Sequence, residues 1–409
     1  MRKINNLLTI FFNTYNRPDY IDRLLRYYYN QKLDCAIIIG DASNKKNIKK
    51  NKKIIESYTD FLHIEHLIFG DKIDNSEVEY HCLKDISTKY SLCTAEDDFI
   101  VPGNLKICID FLESNPSYIA AIGKQLAFTT GSNGPYSSRI KTYHLNMVDH
   151  SIFGSTAADR IKTRMSQKTE FSAPKLVYAV MKTSISLRIH EKMLSLGLDH
   201  SNNEMLLNLL FLLTGNIKLF DKLYIVRQID STNDATRAHG RYVPIIMDNK
   251  MPYKPILDET SEQKMVLAPD FFDLLTDAHF SEKYERMRYC LVDELVRQDN
   301  ISIDKAQKII KYWLWYFMAK NMMSKFFEHG GAEFLPQTIH SGYKLYREKL
   351  KKWVKQFSIV KKLWYNYSGG SMSLKKLLSQ NSLYYDDFMP IYKAITVRPP
   401  DYKDHIDDR

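Results

Sequence analysis

The run TAEDDFIVPGN, residues 94–104, sets three carboxylates side by side, Glu96, Asp97 and Asp98, directly after the apolar, β-prone stretch YSLCT. Acids packed this closely cannot all stay ionised without a counter-charge. Two chemistries answer that requirement: a solvated strand end, or a site for a divalent cation. On an extended backbone alternate side chains share a face, so Glu96 and Asp98 would project together and Asp97 away from them. Mg²⁺ is commonly held by one or two carboxylates together with substrate phosphates, so a cation here (Mn²⁺ or Mg²⁺) would accompany a phosphorylated ligand.

Three further stretches carry polar groups that could serve such a ligand. NTYNRPDY, residues 13–20, follows a predicted strand and opens a helix. Its amides and the side chains of Thr14 and Asn16 could hold a polar group at the helix N-terminus, with Tyr15 and Arg17 beside them, or the loop could simply start a helix. Asp41 ends the apolar strand CAIIIG, where it could accept hydrogen bonds from a base or ribose, or only form a turn. STNDATRAHGRYV, residues 231–243, places Arg237, His239 and Arg241 in one stretch that could close over a diphosphate, with His239 as a third metal ligand, or remain a solvated basic loop.

These residues need a frame. Strand-like runs at 7–12, 35–40, 62–69, 90–94 and 118–123 alternate with helical patterns at 16–31, around 76–88 and at 104–116. That alternation predicts a mostly parallel α/β sheet whose carboxyl-end loops gather Asn13–Arg17, Asp41–Ser43 and Glu96–Asp98 on one edge. Residues 126–170 read as loops bearing at most a hairpin, KLVYAVMKT (175–183) as a strand, and NNEMLLNLLFLLTG as a helix beginning near Asn203. NIKLFDKLYIVR (216–227) reads as a strand or a pair of strands. From about 245 the pattern turns helical, near 263–276, 281–297, 303–327 and 341–365, giving a division into 1–245 and 246–409.

Composition narrows the class. With 409 residues, 44% hydrophobic and 26% charged, the chain is expected to be globular and to hold about two domains. It shows neither a bilayer-length apolar run nor a signal-peptide pattern, so a cytoplasmic location is expected. Five cysteines without CxxC spacing read as buried thiols. A net charge of +10 favours an acidic partner. In GYKLYREKLKKWVKQFSIVKKLWYNY (342–367), eight Lys/Arg stand among apolar residues with one acid. Placed on a helix, this segment could lie on an anionic membrane or pack on the protein with its lysines outward. No recognised nucleic-acid motif accompanies the charge, which makes nucleic acid the poorer reading.

Taken in order, strand-NTYNRP-helix, strand-GDAS, TKYSLCTAEDDFIVPGNL and NNEMLLNLLFLLTGNIKLFDKLYIVRQ resemble the motifs of GT-A-fold glycosyltransferases of the family-2 type, over residues 7–227. The resemblance implies a Rossmann-like mixed sheet and a metal-dependent, inverting transfer from a nucleotide-sugar, a UDP-sugar above all, to a glycan or lipid-linked acceptor in surface polysaccharide synthesis. It also implies roles. Thr14 and Tyr15 border the nucleotide, with Asn16 and Arg17 on the same donor-binding loop, and Asp41 contacts the base. Glu96 and Asp98 take the outer positions of the DXD metal motif, with Asp97 turned towards the donor sugar or a neighbouring loop. Glu204 is the general base, with Asp199 in reserve, and Arg227 lies near the diphosphate. Two positions depart from the pattern: the first DXD acid is Glu, and the base motif reads Asn203-Glu204. The alternative is a catalytically silent GT-A-like module that binds a glycan or a protein.

Overall fold

The strand LTIFFNT (β1, Leu8–Thr14) is buried along nearly its whole length, as a central parallel strand covered on both faces must be. The computed structural model describes residues 6–131, 134–144, 151–166, 176–197, 200–229, 278–313 and 373–400. In it β1 runs parallel to β2 (Ala36–Asp41) and to β4 (Tyr90–Ala95), and β2 to β3 (Ile64–Ile68). The crossovers are α1 (Pro18–Asn30), α2 (Lys45–Glu56) and α3 (Asn75–Asp85). Each starts where its residues favour it. Pro18 stands in the first turn of α1, and the side chains of Asn44 and Asp74 accept the amides of Asn47 and Ser76 at the starts of α2 and α3.

Register decides what meets at the carboxyl edge. Asn13 lies opposite both Gly40 and Ala95, and Thr14 opposite Asp41. The three loops that follow β1, β2 and β4 therefore leave the sheet side by side. Beneath them Phe11, Ile38 and Cys93 pack against Val78, Cys82 and Leu83 of α3. Gly40 leaves room for α3: a Cβ there would stand 2.4 Å from Val78 Cγ1 and 2.7 Å from Cys82 Sγ.

Further strands and helices follow: β5 (Phe99–Ile100), α4 (Pro102–Ser114), β6 (Tyr118–Thr129), β7 (Lys141–His144), α5 (Ala157–Ser166), β8 (Val180–Lys182), α6 (Thr183–Leu194), α7 (His200–Thr214) and β9 (Asn216–Gln228). β8 is antiparallel to β4 and to β6, β6 runs parallel to β9, and β5 and β7 add antiparallel to β9 and β6. Among the described residues this makes one sheet in the order β3-β2-β1-β4-β8-β6-β9-β5, with β7 on β6. A parallel half is thus joined through an antiparallel strand to a mixed half, giving the mixed α/β sheet expected from the sequence.

The strands and helices expected up to residue 123 are present. Beyond that point the structure corrects the sequence reading in two places. The irregular span 126–170 does form a hairpin, β6 with β7, but it also contains α5, whose Arg160 anchors it by donating from Nε to Leu212 O at 2.8 Å. Only Val180–Lys182 of the expected strand 175–183 is extended, because Leu176–Tyr178 forms a 3₁₀ turn and α6 opens at once at Thr183. The span 216–227 is one long strand with bulges against β6. All five cysteines are buried thiols.

The chain divides into two compact units. The first comprises 1–160, 168–242 and 371–409, and the second 161–167 with 243–370. The first unit thus takes back the end of the region that the sequence assigns to 246–409. Helix α9 (Tyr385–Thr396) buries Phe388, Ile391 and Ile395 completely. Asn104 Nδ2 donates to Asp387 at 3.0 Å, Ser137 N donates to Ile395 O at 3.0 Å, and Lys124 pairs with Asp221 while donating to Tyr384. In the second unit, α8 (Ala278–Asp299) buries Met287, Leu291 and Leu295 at helical spacing, and Ala306 and Ile310 are buried in helical residues 303–313. Among the described residues no helix is long and apolar enough to cross a membrane. The expected helices at 263–276 and 341–365, and the basic run 342–367, lie outside the described residues.

Two substitutions test this packing by urea unfolding. Gly40→Ala is expected to cost about 1–3 kcal/mol through overpacking against α3. Phe388→Ala is expected to cost about 3–5 kcal/mol, and a loss under about 1 kcal/mol would mean that α9 is not part of the sheet unit's core.

Candidate functional site

Three arginines meet the three acids. Glu96, Asp97 and Asp98 are all buried, Asp98 to 2% exposure. Arg17, at the foot of α1, donates from one nitrogen, Nη1, to Glu96 Oε1 at 3.2 Å and to Asp97 Oδ2 at 3.1 Å. Arg23, two turns further along α1, donates to the carbonyl oxygen of Asp97 at 3.2 Å, to Gln228 Oε1 at 3.0 Å and to Pro135 O. Arg227, at the end of β9, donates from Nε to Asp98 Oδ2 at 3.2 Å, and the amide of Gln228 donates to Asp98 Oδ1 at 3.1 Å. Aromatic rings support the guanidiniums: Arg17 lies 3.9 Å from the Tyr20 centroid, Arg23 sits near Tyr20 and Phe99, and Arg227 lies 4.7 Å from the Tyr178 centroid.

The backbone explains this division of partners. After Ala95 the chain leaves the strand and turns, with the Asp98 amide donating to Ala95 O at 3.1 Å. The extended-strand expectation that Glu96 and Asp98 share a face is therefore corrected: in a turn Glu96 and Asp97 reach the same arginine, and Asp98 faces β9.

Burial sets the electrostatics. It pushes the Glu96 carboxyl up to about 7, against the pull of Arg17, and the Asp98 carboxyl up to about 6, against the pull of Arg227. It also works to lower Arg17, but Glu96 and Asp97 outweigh it and hold that guanidinium above its ordinary value. With no such carboxylate on its own nitrogens, fully buried Arg23 is lowered to about 10.

The first two loops are tied to each other. Asn16 adopts a left-handed backbone with φ of 58°, a conformation asparagine tolerates better than most residues. There its amide donates to Ser43 Oγ at 2.8 Å, and its Oδ1 accepts from Asn44 N and Asn47 Nδ2 at 3.0 Å. Asp41 is fully buried with both oxygens engaged, accepting from Ser43 N and Asn51 Nδ2 at 2.9 Å and facing His66 Nε2 at 3.0 Å. Burial would raise its carboxyl, yet His66, Ser43 and Asn51 hold it below the ordinary value. Both Asp41 oxygens thus fasten the second loop to α2 and β3. Thr14 is buried, and Tyr15 is half-buried against the Phe11–Ile38 cluster. Beside these loops an open groove of about 620 Å³ is lined by residues that include Ser43, Asn44, Lys45, Phe69 and Gly70.

Of the expected site residues, Arg17, Glu96, Asp97, Asp98 and Arg227 come together, and Thr14, Tyr15, Asn16 and Asp41 form the adjoining loops. Glu204 lies within α7, which begins at His200, and its side chain lies outside the described residues. So do Asp199, Arg237, His239 and Arg241. Sequence reading missed Arg23, Tyr20, Tyr178 and Gln228. One signal was available: Arg23 stands on the apolar stripe of α1 between Tyr20, Leu24 and Tyr27, and a charge on a buried helix face needs a partner.

The carboxylates as placed do not fit a divalent cation. Both oxygens of Asp98 already accept hydrogen bonds, and Glu96 and Asp97 share a guanidinium. Among the described residues no group of three His, Cys, Asp or Glu side chains converges as a ligand set.

No family model matches the chain, and no curated protein matches it. Solved structures similar to it include that of Staphylococcus aureus TarS, at 14% identity and a TM-score of 0.46, covering 78% of this chain and 45% of that one. The chain thus spans less than half the length of that protein. TarS residues 1–349 bound to UDP-GlcNAc match at 14% identity and a TM-score of 0.42, over 79% of this chain and 92% of that one. A 4-diphosphocytidyl-2C-methyl-D-erythritol synthase from Anaerococcus prevotii matches at 12% identity and a TM-score of 0.34, over 57% of this chain and 94% of that one.

Proposed function

We propose that this chain is a glycosyltransferase that moves a sugar from a nucleotide-sugar, a UDP-sugar, to a hydroxyl of a glycan or lipid-linked acceptor in the building of a surface polysaccharide or related glycan. The observation that supports this reading is the meeting of three loops and a cationic strand end on one sheet edge. The register of β1, β2 and β4 brings residues 13–17, 41–44 and 96–98 together, and Arg227 reaches them from β9. Ligands of open α/β sheets settle at this edge. The N-terminus of α1 lies there too, and its positive dipole end favours phosphate oxygens.

In the transfer, the acceptor oxygen attacks the anomeric carbon as the bond from that carbon to the diphosphate oxygen breaks. The electron pair leaves with the nucleoside diphosphate, and the acceptor's proton passes to a carboxylate. Glu204 on α7 takes that proton in this reading, and attack opposite the leaving group inverts the anomeric centre. The reaction would take place on the cytoplasmic side, with the basic segment 342–367 against an anionic membrane that carries the acceptor.

The test is a panel of UDP-, GDP-, ADP- and CDP-sugars followed by thermal unfolding and by donor hydrolysis. At least one donor is expected to raise the midpoint, because a ligand at a hundred times its Kd adds about 2.7 kcal/mol of stability. Glu204→Gln is expected to slow turnover about 10²- to 10⁴-fold while leaving the donor Kd within about twofold. A chain that binds none of the donors is not a glycosyltransferase, and one that binds a donor but never turns it over is a silent binding module.

A further inference from the structure

The charges around the turn balance without any metal. Three carboxylates, Glu96, Asp97 and Asp98, lie among three guanidiniums, Arg17, Arg23 and Arg227. A divalent cation placed on Glu96 or Asp98 would have to displace the arginine nitrogens 3.2 Å away or sit beside their positive charge. Nor do those two acids converge, since the turn directs one towards α1 and the other towards β9.

Arg17 is not exhausted by its carboxylates. Its Nη1 serves both acids, while its Nε and Nη2 are buried without a hydrogen-bond partner. Buried guanidinium donors left unpaired are costly, and a planar guanidinium matches two phosphate oxygens at once. Arg17 also stands immediately before Pro18, where the amide dipoles of α1 add positive potential. Two independent features at one residue thus point to an anion.

Resting on the donor reading above, we infer that the negative charge of the nucleoside diphosphate is met directly by Arg17, with Arg227 beside it, and not through a divalent cation. Glu96, Asp97 and Asp98 are positioning residues in this arrangement: they hold the two guanidiniums in place.

The experiment is calorimetric titration of the full chain with UDP, GDP, ADP and CDP, once with excess EDTA and once with Mn²⁺ or Mg²⁺. The diphosphate that binds is expected to have the same Kd under both conditions, within about twofold. Arg17→Lys keeps the charge but loses the planar fork, and is expected to weaken that diphosphate about tenfold or more while leaving the matching nucleoside unaffected. Equal unfolding midpoints for wild type and variant will show that the variant folds, and Arg227→Lys provides a second variant should Arg17→Lys not fold. Binding that weakens about tenfold in EDTA and returns with Mn²⁺ would overturn this inference and leave the donor reading intact. Absence of binding by all four diphosphates under both conditions would overturn both.

Discussion

Three carboxylates on one buried turn impose the condition on which the rest of the site depends: each needs a compensating positive charge that burial cannot strip away. Arginine suits that task because its guanidinium stays protonated and donates along several directions at once. Arg17 and Arg23 come from α1, and Arg227 comes from the end of β9. The acidic turn therefore clamps together elements more than two hundred residues apart in sequence. Burial still leaves its mark, since Glu96 is raised to about 7 and Asp98 to about 6.

The same condition shapes the surrounding sheet. β1, β2 and β4 end in register, which delivers the first loop, the second loop and the acidic turn to one edge. Asn16 and Asp41 then spend their polar atoms joining the first two loops to each other and to α2. In the structure both residues fasten the loops that carry them. Arg17, expected on the donor-binding loop, keeps buried donors unpaired.

Much of the frame is legible in the sequence because it rests on local signals. Apolar runs bounded by Pro18, Asn44 and Asp74 mark the early strands and helices, and parallel topology follows from their alternation. Less legible is what depends on contacts distant in sequence. Helix α5 is held by the Arg160 bond to Leu212, and α9 by apolar residues whose partners lie far earlier in the chain. At the site, the identity of the acids is readable, but their directions are not. Those depend on a turn set by the Asp98 amide to Ala95 bond and on arginines whose distance from the acids only the fold reveals.

A double-mutant cycle between Arg17 and Glu96 probes the central clamp most directly. Unfolding free energies would be measured for wild type, Arg17→Met, Glu96→Gln and the double variant. Removing only the arginine strands buried carboxylates and is expected to cost about 3–5 kcal/mol. The double variant is expected to recover part of that loss, giving a coupling energy of about 1–3 kcal/mol. Additive losses would contradict the clamp, because they would mean that Arg17 does not compensate the acidic turn in the folded protein.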